Sequence, residues 1–142
     1  MIVPDINLLV YAYDETARQH GRAKAWWEEC LSGPTTVGIP WVVLLGFLRL
    51  ITSPKVFRNP MPVATATTHI LLWLERAQVQ ILHPGGRHAE ILCRFLNELG
   101  TAGNLTTDAH LAALAVECQA IVHTNDADFA RFPGLRWINP LL

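Results

Sequence analysis

The sequence predicts an α/β domain in which helices cover both faces of a parallel sheet. Short apolar runs alternate with longer segments in which apolar residues recur every three or four positions. Apolar residues make up 51% and charged residues 16% of the 142 positions, which indicates a compact domain with a substantial core. Alternating strands and helices in a chain of this length favour one domain, which we assign to residues 1–142.

Five short apolar runs, most of them bounded by proline, glycine or polar residues, are the predicted strands. The run "AIVHT" has the clearest strand character because it is rich in β-branched residues. The first run is very short and ends at Pro4. The predicted strands cover residues 1–4, 36–39, 79–82, 120–124 and 135–138.

The segments between these strands have helical periodicity. Thr106 or Thr107 is the expected N-cap of a helix that ends near Cys118. The segment "WVVLLGFLRLI" after Pro40 is apolar nearly all round, so we expect it deep in the core or at an interface. The other predicted helices cover residues 6–13, 15–31, 63–77, 87–99 and, as a short helix, 126–132.

Charge and cysteine content exclude several classes of protein. The net charge of −1 gives no long-range field that attracts nucleic acid or an anionic membrane, so polyanion binding requires a local patch. Cys30, Cys93 and Cys118 are too widely spaced for a disulfide framework, which favours a reducing cytoplasm. No signal peptide and no apolar run of ~18 residues is present, so we expect no membrane partner.

Four aspartates lie where strands end or helices begin. Asp5 follows the first predicted strand, Asp126 and Asp128 follow the fourth, and Asp108 opens the helix that leads to the fourth. Taken singly, each fits a helix cap or a favourable contact with the helix dipole. Taken together, they converge at the carboxyl edge of the sheet, where ligands bind in such folds.

Carboxylates gathered at one edge repel each other, and a hard divalent cation removes that penalty. A set of oxygen ligands without histidine or cysteine suits Mg²⁺ or Mn²⁺ better than zinc. Such ions activate water for attack on a phosphodiester and stabilise the leaving oxygen. Other catalytic motifs are absent: there is no GxSxG, GxxxxGK[ST] or HExxH, and no cysteine opens a helix.

Four stretches, in order along nearly the whole chain, resemble PIN-domain ribonucleases, and most closely the VapC-type toxins of bacterial toxin–antitoxin pairs. They are "VPDINLLVYAYD", "FLRLITSPKVF", "GNLTTDAHLAALAVE" and "VHTNDADFARFPGLRWINPL". The resemblance implies a three-layer α/β/α sandwich with a short four- or five-stranded parallel sheet. It also implies Mg²⁺- or Mn²⁺-dependent endonucleolytic cleavage of RNA, inhibition by a cognate antitoxin and assembly into a homodimer.

The resemblance also implies roles for individual residues. Asp5, Asp108 and Asp126 match the catalytic acids and metal ligands, with Asp128 as an additional ligand. The polar residues that support the pocket are matched by Asn7 and Thr124.

One position departs from the family pattern. Many PIN domains carry a glutamate on the second core helix, where this chain has Gly46, and no acidic residue occurs between Glu29 and Glu75. Either the aspartates suffice, or Asp128 or a partner chain supplies the further carboxylate, or activity is weakened. Close approach of backbone to Gly46 would explain the glycine.

RNA requires a positive path to the acids. Arg49, Lys55, Arg58 and Arg131 are the candidate phosphate contacts, and solvated surface charge is the competing interpretation. The apolar stripes in "AKAWWEECL" and "WVVLLGFL" suggest a groove for an amphipathic antitoxin segment, although core packing is the favoured explanation for each tryptophan.

Two other functions remain open at this point. A non-catalytic PIN-like scaffold fits the glycine at position 46. A phosphatase with an aspartate nucleophile fits the motif "DAD", although that motif should follow the first strand and here lies near the C-terminus.

Overall fold

A computed structural model describes all 142 residues and confirms the predicted α/β/α class. Its sheet has five parallel strands in the order β3-β2-β1-β4-β5. Each strand has only two to four residues, as the short apolar runs predict. The strands are β1 (Ile2–Pro4), β2 (Val37–Pro40), β3 (Val79–Leu82), β4 (Ile121–His123) and β5 (Trp137–Ile138).

Six helices cover the sheet. Because parallel crossovers are right-handed, the first four helices lie on one face and the last two on the other. The helices of each layer pack against their neighbours in that layer. The helices are α1 (Ile6–Tyr13), α2 (His20–Ser32), α3 (Trp41–Ile51), α4 (Val63–Leu74), α5 (His88–Leu99) and α6 (Thr106–Glu117), with short 3₁₀ helices at Gly103–Leu105 and Ala127–Arg131.

Two helix starts differ from the prediction. Residues 15–19 form turns because the Asp14 carboxylate accepts hydrogen bonds from the Thr16 N–H at 3.0 Å and hydroxyl at 2.6 Å. The expected threonine cap of α6 is wrong, since Leu105 is the N-cap residue and makes no side-chain cap bond. The preceding 3₁₀ helix replaces the cap, because the Gly103 carbonyl accepts the N–H of Thr106.

The core is a single cluster of 33 buried residues. Trp26 and Trp27 belong to it, with 8% and 2% exposure, which confirms the favoured core role of both tryptophans. The antitoxin groove between these helices stays a prediction. The Trp26 indole N–H donates to His123 Nδ1 at 2.9 Å and ties α2 to β4. None of the helices combines the length and apolarity that crossing a bilayer requires.

Helix α3 is buried on one side only. Val43, Leu44 and Phe47 face the core, whereas Trp41 and Leu45 are half exposed or more. The prediction of burial in the core is therefore confirmed for one side of α3. The opposite side is also apolar, but it faces solvent.

The end of α6 provides a test of local backbone strain. Gln119 has a left-handed φ of 56°, and the N–H of Ala120 bonds to the Ala115 carbonyl at 2.8 Å, as in a Schellman cap. We expect Gln119→Gly to raise the free energy of unfolding by about 1 kcal/mol, because glycine adopts this φ without strain. Urea unfolding measures the change.

The matched control is Glu75→Gly at the end of α4, where the backbone is right-handed with φ −75°. Glycine there should destabilise the fold, because only the entropy cost of glycine remains. Equal destabilisation by both substitutions would contradict the strain at Gln119.

Candidate functional site

The strand order reverses between β1 and β4, and this switch point is where ligands bind in open parallel sheets. Pro4 is in register with His123, so the residues that follow the two strands are neighbours. The N–H of Asp5 donates to the His123 carbonyl at 2.9 Å, which extends the pairing by one residue. The sheet therefore brings Asp5 beside Thr124 although 119 positions separate them.

Thr124 links two of the predicted acids. Its buried hydroxyl donates to Asp5 Oδ2 at 2.7 Å and accepts the backbone N–H of Asp126 at 2.9 Å. One hydroxyl thus orients the first carboxylate and sets the start of the loop that carries the third. Asn7, the other predicted supporting residue, lies exposed in the first turn of α1 without a hydrogen bond to these carboxylates.

Asp5 is the most buried acid of the chain, with 7% exposure. It is the N-cap of α1, and its Oδ1 accepts the N–H of Ile6 at 2.8 Å. Burial raises the pKa of Asp5, while the hydrogen bonds from Thr124 and Ile6 lower it and the charge of Asp126 raises it. The net pKa lies above the ordinary value, so the ionised form of Asp5 lacks full compensation in the protein alone.

Asp108 lies partly buried in the first turn of α6. Burial raises its pKa from 3.8 to about 6, with further contributions from the negative charges of Asp5, Asp126 and Asp128 and none from a hydrogen bond. These repulsions show that the four predicted aspartates share one neighbourhood. A cap explains Asp5, whereas Asp108 accepts no hydrogen bond and has only its position in the first turn of α6 to offset its charge.

Asp126 is the N-cap of the 3₁₀ helix after β4 and accepts the N–H of Asp128 at 2.9 Å. The carboxylate of Asp128 itself is exposed. No three acidic, histidine or cysteine side chains form a ready-made set of metal ligands. The aspartates are close enough to repel each other, but those of Asp5 and Asp126 are turned toward N–H donors.

Gly46 lies where α3 crosses α1. A Cβ at this position would lie 2.5 Å from Ile6 Cδ1 and 3.0 Å from Ile6 Cγ1. The expected close approach of backbone is therefore wrong, since the three nearest atoms all belong to the Ile6 side chain. A glutamate here would require Ile6 to move. Helix α3 carries no acid, and the acids whose charges raise the pKa of Asp108 are Asp5, Asp126 and Asp128.

Histidines and cysteines make no contribution to this cluster. His110 pairs with His88 at 2.8 Å between ring nitrogens, and His123 is held by Trp26. The three cysteines are free, and burial raises the pKa of Cys30 to about 12, which leaves it an unreactive thiol at neutral pH.

The predicted cations are all exposed, and none of them takes part in either of the two ion pairs of the structure. Arg49 lines a groove beside the aspartates together with Ile6 and Thr107, which are sequence neighbours of Asp5 and Asp108. Arg58 lines a different groove, with Asp14 and Glu15. The other two cations are Lys55, in the turn after α3, and Arg131, at the end of the second 3₁₀ helix.

Three residues that border the site were not among the predicted site residues. Ile6 and Thr107 each adjoin a predicted acid, and Leu45 lies one helical turn before Arg49. Their adjacency to the aspartates and the spacing of four along α3 were visible in the sequence. Which residues of α3 face this groove became clear only from the packing of α3 on α1.

The chain matches the PIN domain family over residues 2–135. Ribonuclease VapC33 of Mycobacterium tuberculosis is 46% identical over 141 residues, which covers 99% of each chain. Ribonuclease VapC37 of the same species is 44% identical over 140 residues, covering 99% of this chain and 97% of the relative.

Two solved structures share the fold at lower identity. VapBC2 from Rickettsia felis, bound to a promoter DNA fragment, matches with a TM-score of 0.70 and 21% identity over 98% of both chains. VapC20 of Mycobacterium tuberculosis, described as a Sarcin-Ricin loop cleaving toxin, matches with a TM-score of 0.68 and 20% identity over 96% and 99%. Together with the full-length identity to VapC33 and VapC37, these matches place the chain in the PIN-domain family, among the VapC ribonucleases.

Proposed function

We propose that the chain is a metal-dependent endoribonuclease and the toxin of a toxin–antitoxin pair. The observation that carries this proposal is the gathering of acids at the switch point between β1 and β4, where Thr124 links Asp5 to the loop of Asp126 and Asp128. Burial and these neighbouring charges raise the pKa of Asp108 to about 6. A fold that needed only helix caps would not keep an uncompensated carboxylate there, since carboxylate repulsion costs stability. The relatives named as ribonucleases support the same conclusion.

The donor set fits a hard divalent cation, Mg²⁺ or Mn²⁺, because it consists of carboxylate oxygens. Asp5, Asp108 and Asp126 would hold the ion, with Asp128 beside them. Such an ion, when bound, activates water and stabilises the leaving oxygen of a phosphodiester. Positive charge at this place would also lower the raised pKa values of Asp5 and Asp108 and keep both ionised.

The remaining steps belong to the chain's own residues. The Thr124 hydroxyl and the Ile6 N–H hold Asp5 in one orientation. Asp5 is buried, whereas Asp108 is only partly buried and Asp128 is exposed, so we expect substrate to approach from the side of Asp108 and Asp128. Pre-organised ligands of this kind reduce the reorganisation that a reaction requires.

RNA, as a polyanion, approaches four carboxylates only where cations offset the repulsion. The segment between Glu29 and Glu75 carries no acid but does carry Arg49, Lys55 and Arg58. Of these, Arg49 lines the groove that adjoins the aspartates. This part of the surface therefore offers the local positive path that the net charge of −1 does not provide.

The proposed partners are an antitoxin and a second copy of the chain. Structural neighbours include VapBC2, VapBC-1 and FitAB assemblies, which supports a protein partner for this fold. A basic antitoxin side chain placed among the aspartates would satisfy the charge that a metal ion otherwise offsets. Action on cellular RNA places the chain in the cytoplasm.

A scaffold without catalysis is the second candidate, because α3 carries no glutamate and Ile6 occupies the space beside Gly46. The phosphatase reading loses support, since the motif "DAD" follows β4 and begins a 3₁₀ helix.

Cleavage of total RNA separates these candidates. We expect fragments with Mg²⁺ or Mn²⁺ and none with a chelator, because the aspartates act through the ion. Asp5→Asn and Asp108→Asn should each reduce the cleavage rate on the order of 10²-fold or more, as loss of a transition-state contact does. Gel electrophoresis of the RNA measures the rates.

Glu98→Gln is the control, because Glu98 is an exposed acid on α5 outside the cluster. Unchanged cleavage by both aspartate variants would overturn the site. A folded wild type that cleaves no RNA with either metal would favour the scaffold.

Asp108 also predicts a stability change. Its pKa of about 6 in the folded protein exceeds the ordinary 3.8, so its contribution to stability is full below pH 3.8 and is lost as pH rises through 6. Without divalent ions, Asp108→Asn should therefore raise the free energy of unfolding at pH 7.5. After discounting for solvent screening, we expect about 1 kcal/mol.

Urea unfolding at pH 7.5 and pH 4 measures this effect, again with Glu98→Gln as the control. The gain should shrink at pH 4, and Mg²⁺ should stabilise the wild type more than the variant. Destabilisation by Asp108→Asn at both pH values would mean that the carboxylate has a structural partner.

Phosphate contact by Arg49 predicts a salt effect. The logarithm of RNA affinity should fall linearly with the logarithm of salt concentration, and Arg49→Ala should reduce the slope by about 0.7. Fluorescence anisotropy with labelled single-stranded RNA measures both values. The control is Arg94→Ala, because Arg94 is an exposed cation on α5. An unchanged slope in Arg49→Ala would mean that Arg49 makes no phosphate contact.

A further inference from the structure

A groove of about 270 Å³ runs between α3 and the aspartates; we call it the α3 groove. Its position beside the site follows from the sequence, because Ile6 adjoins Asp5 and Thr107 adjoins Asp108. Gly46 forms part of its floor, where any larger side chain would meet Ile6. The full lining is Ile6, Val42, Leu45, Gly46, Arg49 and Thr107.

The rim of the α3 groove continues as a row along the helix. Trp41, Leu45 and Arg49 are four residues apart, so they lie on one side of α3. Trp41 is 50% and Leu45 58% exposed, and Arg49 is exposed as well. Of the five tryptophans of the chain, only Trp41 is exposed, while the other four are buried or partly buried.

The core does not account for this row. Val43, Leu44 and Phe47 already fill the buried side of α3. An exposed indole and an unpaired guanidinium on the same side of a helix, two turns apart, form an arrangement that binds single-stranded nucleic acid, by stacking of a base and contact with a phosphate. The aspartates next to it need a substrate that approaches from this side.

Charge distinguishes this surface from the other apolar surface of the molecule. Helix α4 exposes Leu71 and Leu72 but carries no charged residue. The α3 row ends in a cation and adjoins the site through Ile6 and Thr107. A polyanion that reaches the aspartates therefore fits the α3 row better than α4.

We propose that the α3 groove and its row bind unpaired nucleotides of the RNA substrate, with a base stacked on Trp41 and the adjacent phosphate held by Arg49. This inference rests on the proposed ribonuclease function. It assigns Trp41 to substrate binding and the glycine at position 46 to the groove floor. A glutamate at that position would place a negative charge where the RNA lies.

The test compares two probes, an unstructured RNA oligonucleotide and a matched oligonucleotide with abasic sites at its central positions. Binding is measured by anisotropy in the Asp108→Asn background, so that the RNA stays intact. Trp41→Ala should weaken binding of the base-containing RNA by roughly 5- to 150-fold, the range for one stacked base. Trp41→Phe should recover most of this loss, because it restores an aromatic face.

The abasic probe should bind weakly, and Trp41→Ala should not weaken it further. Leu72→Ala, an equally exposed apolar residue on α4, should bind both probes like the parent. Quenching of tryptophan fluorescence by the base-containing RNA should disappear in Trp41→Ala. Circular dichroism confirms that each variant is folded.

Unchanged RNA affinity in Trp41→Ala, or an equal loss for both probes, overturns the stacking proposal. Retained RNA binding with loss of a co-purified antitoxin would assign the row to protein contact and also overturn it. If wild type cleaves RNA while Trp41→Ala keeps its KM, only the nucleotide subsite fails. If wild type neither binds nor cleaves RNA, the proposed function fails and this inference falls with it.

Discussion

The parallel pairing of β1 with β4 determines where Asp5 and the loop that carries Asp126 and Asp128 lie. It places Asp5 and Thr124 side by side, and one hydroxyl then connects Asp5 to the loop that carries Asp126. The pairing joins the beginning of the chain to its last third. Contacts between such distant residues form late in folding, because a long loop must close first. A slip of one residue would turn Asp5 to the opposite face of the sheet and disperse the site. The Trp26–His123 bond supports this register from the helix layer, because it fixes the last residue of β4.

Capping and metal binding are compatible roles for the same aspartates. Asp5 and Asp126 cap short helices and accept N–H donors, which compensates part of their charge in the protein alone. Asp108 has no such compensation, and its raised pKa expresses the cost of gathering the four side chains. Gathering these carboxylates thus lowers the stability of the folded state, and a cation or a basic group of a partner can restore it. Penalties of this kind are retained at functional sites more often than elsewhere.

Local patterns predict the elements of this fold well, and long-range packing explains what they miss. The bounds of α1 and β3 follow from apolar runs that end at polar or proline residues, and the structure has them at the predicted positions. The sequence did not indicate that a 3₁₀ turn precedes α6 and binds the N–H of Thr106, so the predicted threonine cap was wrong. The apolar face of the helix predicted over residues 15–31 favours burial of Trp26 and Trp27, and the structure has both in the core. For the site, the positions of the four aspartates were predictable from strand ends, whereas the link through Thr124 and the contact of Ile6 with Gly46 required the packed structure.

The absence of acid from α3 has two physical effects that reinforce each other. A fifth carboxylate beside Asp108 would add repulsion to a group whose pKa is already about 6. Without it, the segment from residue 30 to residue 74 carries cations but no anions, and Arg49 is the one charged residue that lines the α3 groove. A polyanion that enters from α3 meets Arg49 before it meets the aspartates, and the repulsion is offset along the approach. A glycine at position 46, where many PIN domains have a glutamate, therefore leaves α3 without a potential metal ligand. It also leaves room and favourable charge for a substrate next to the aspartates.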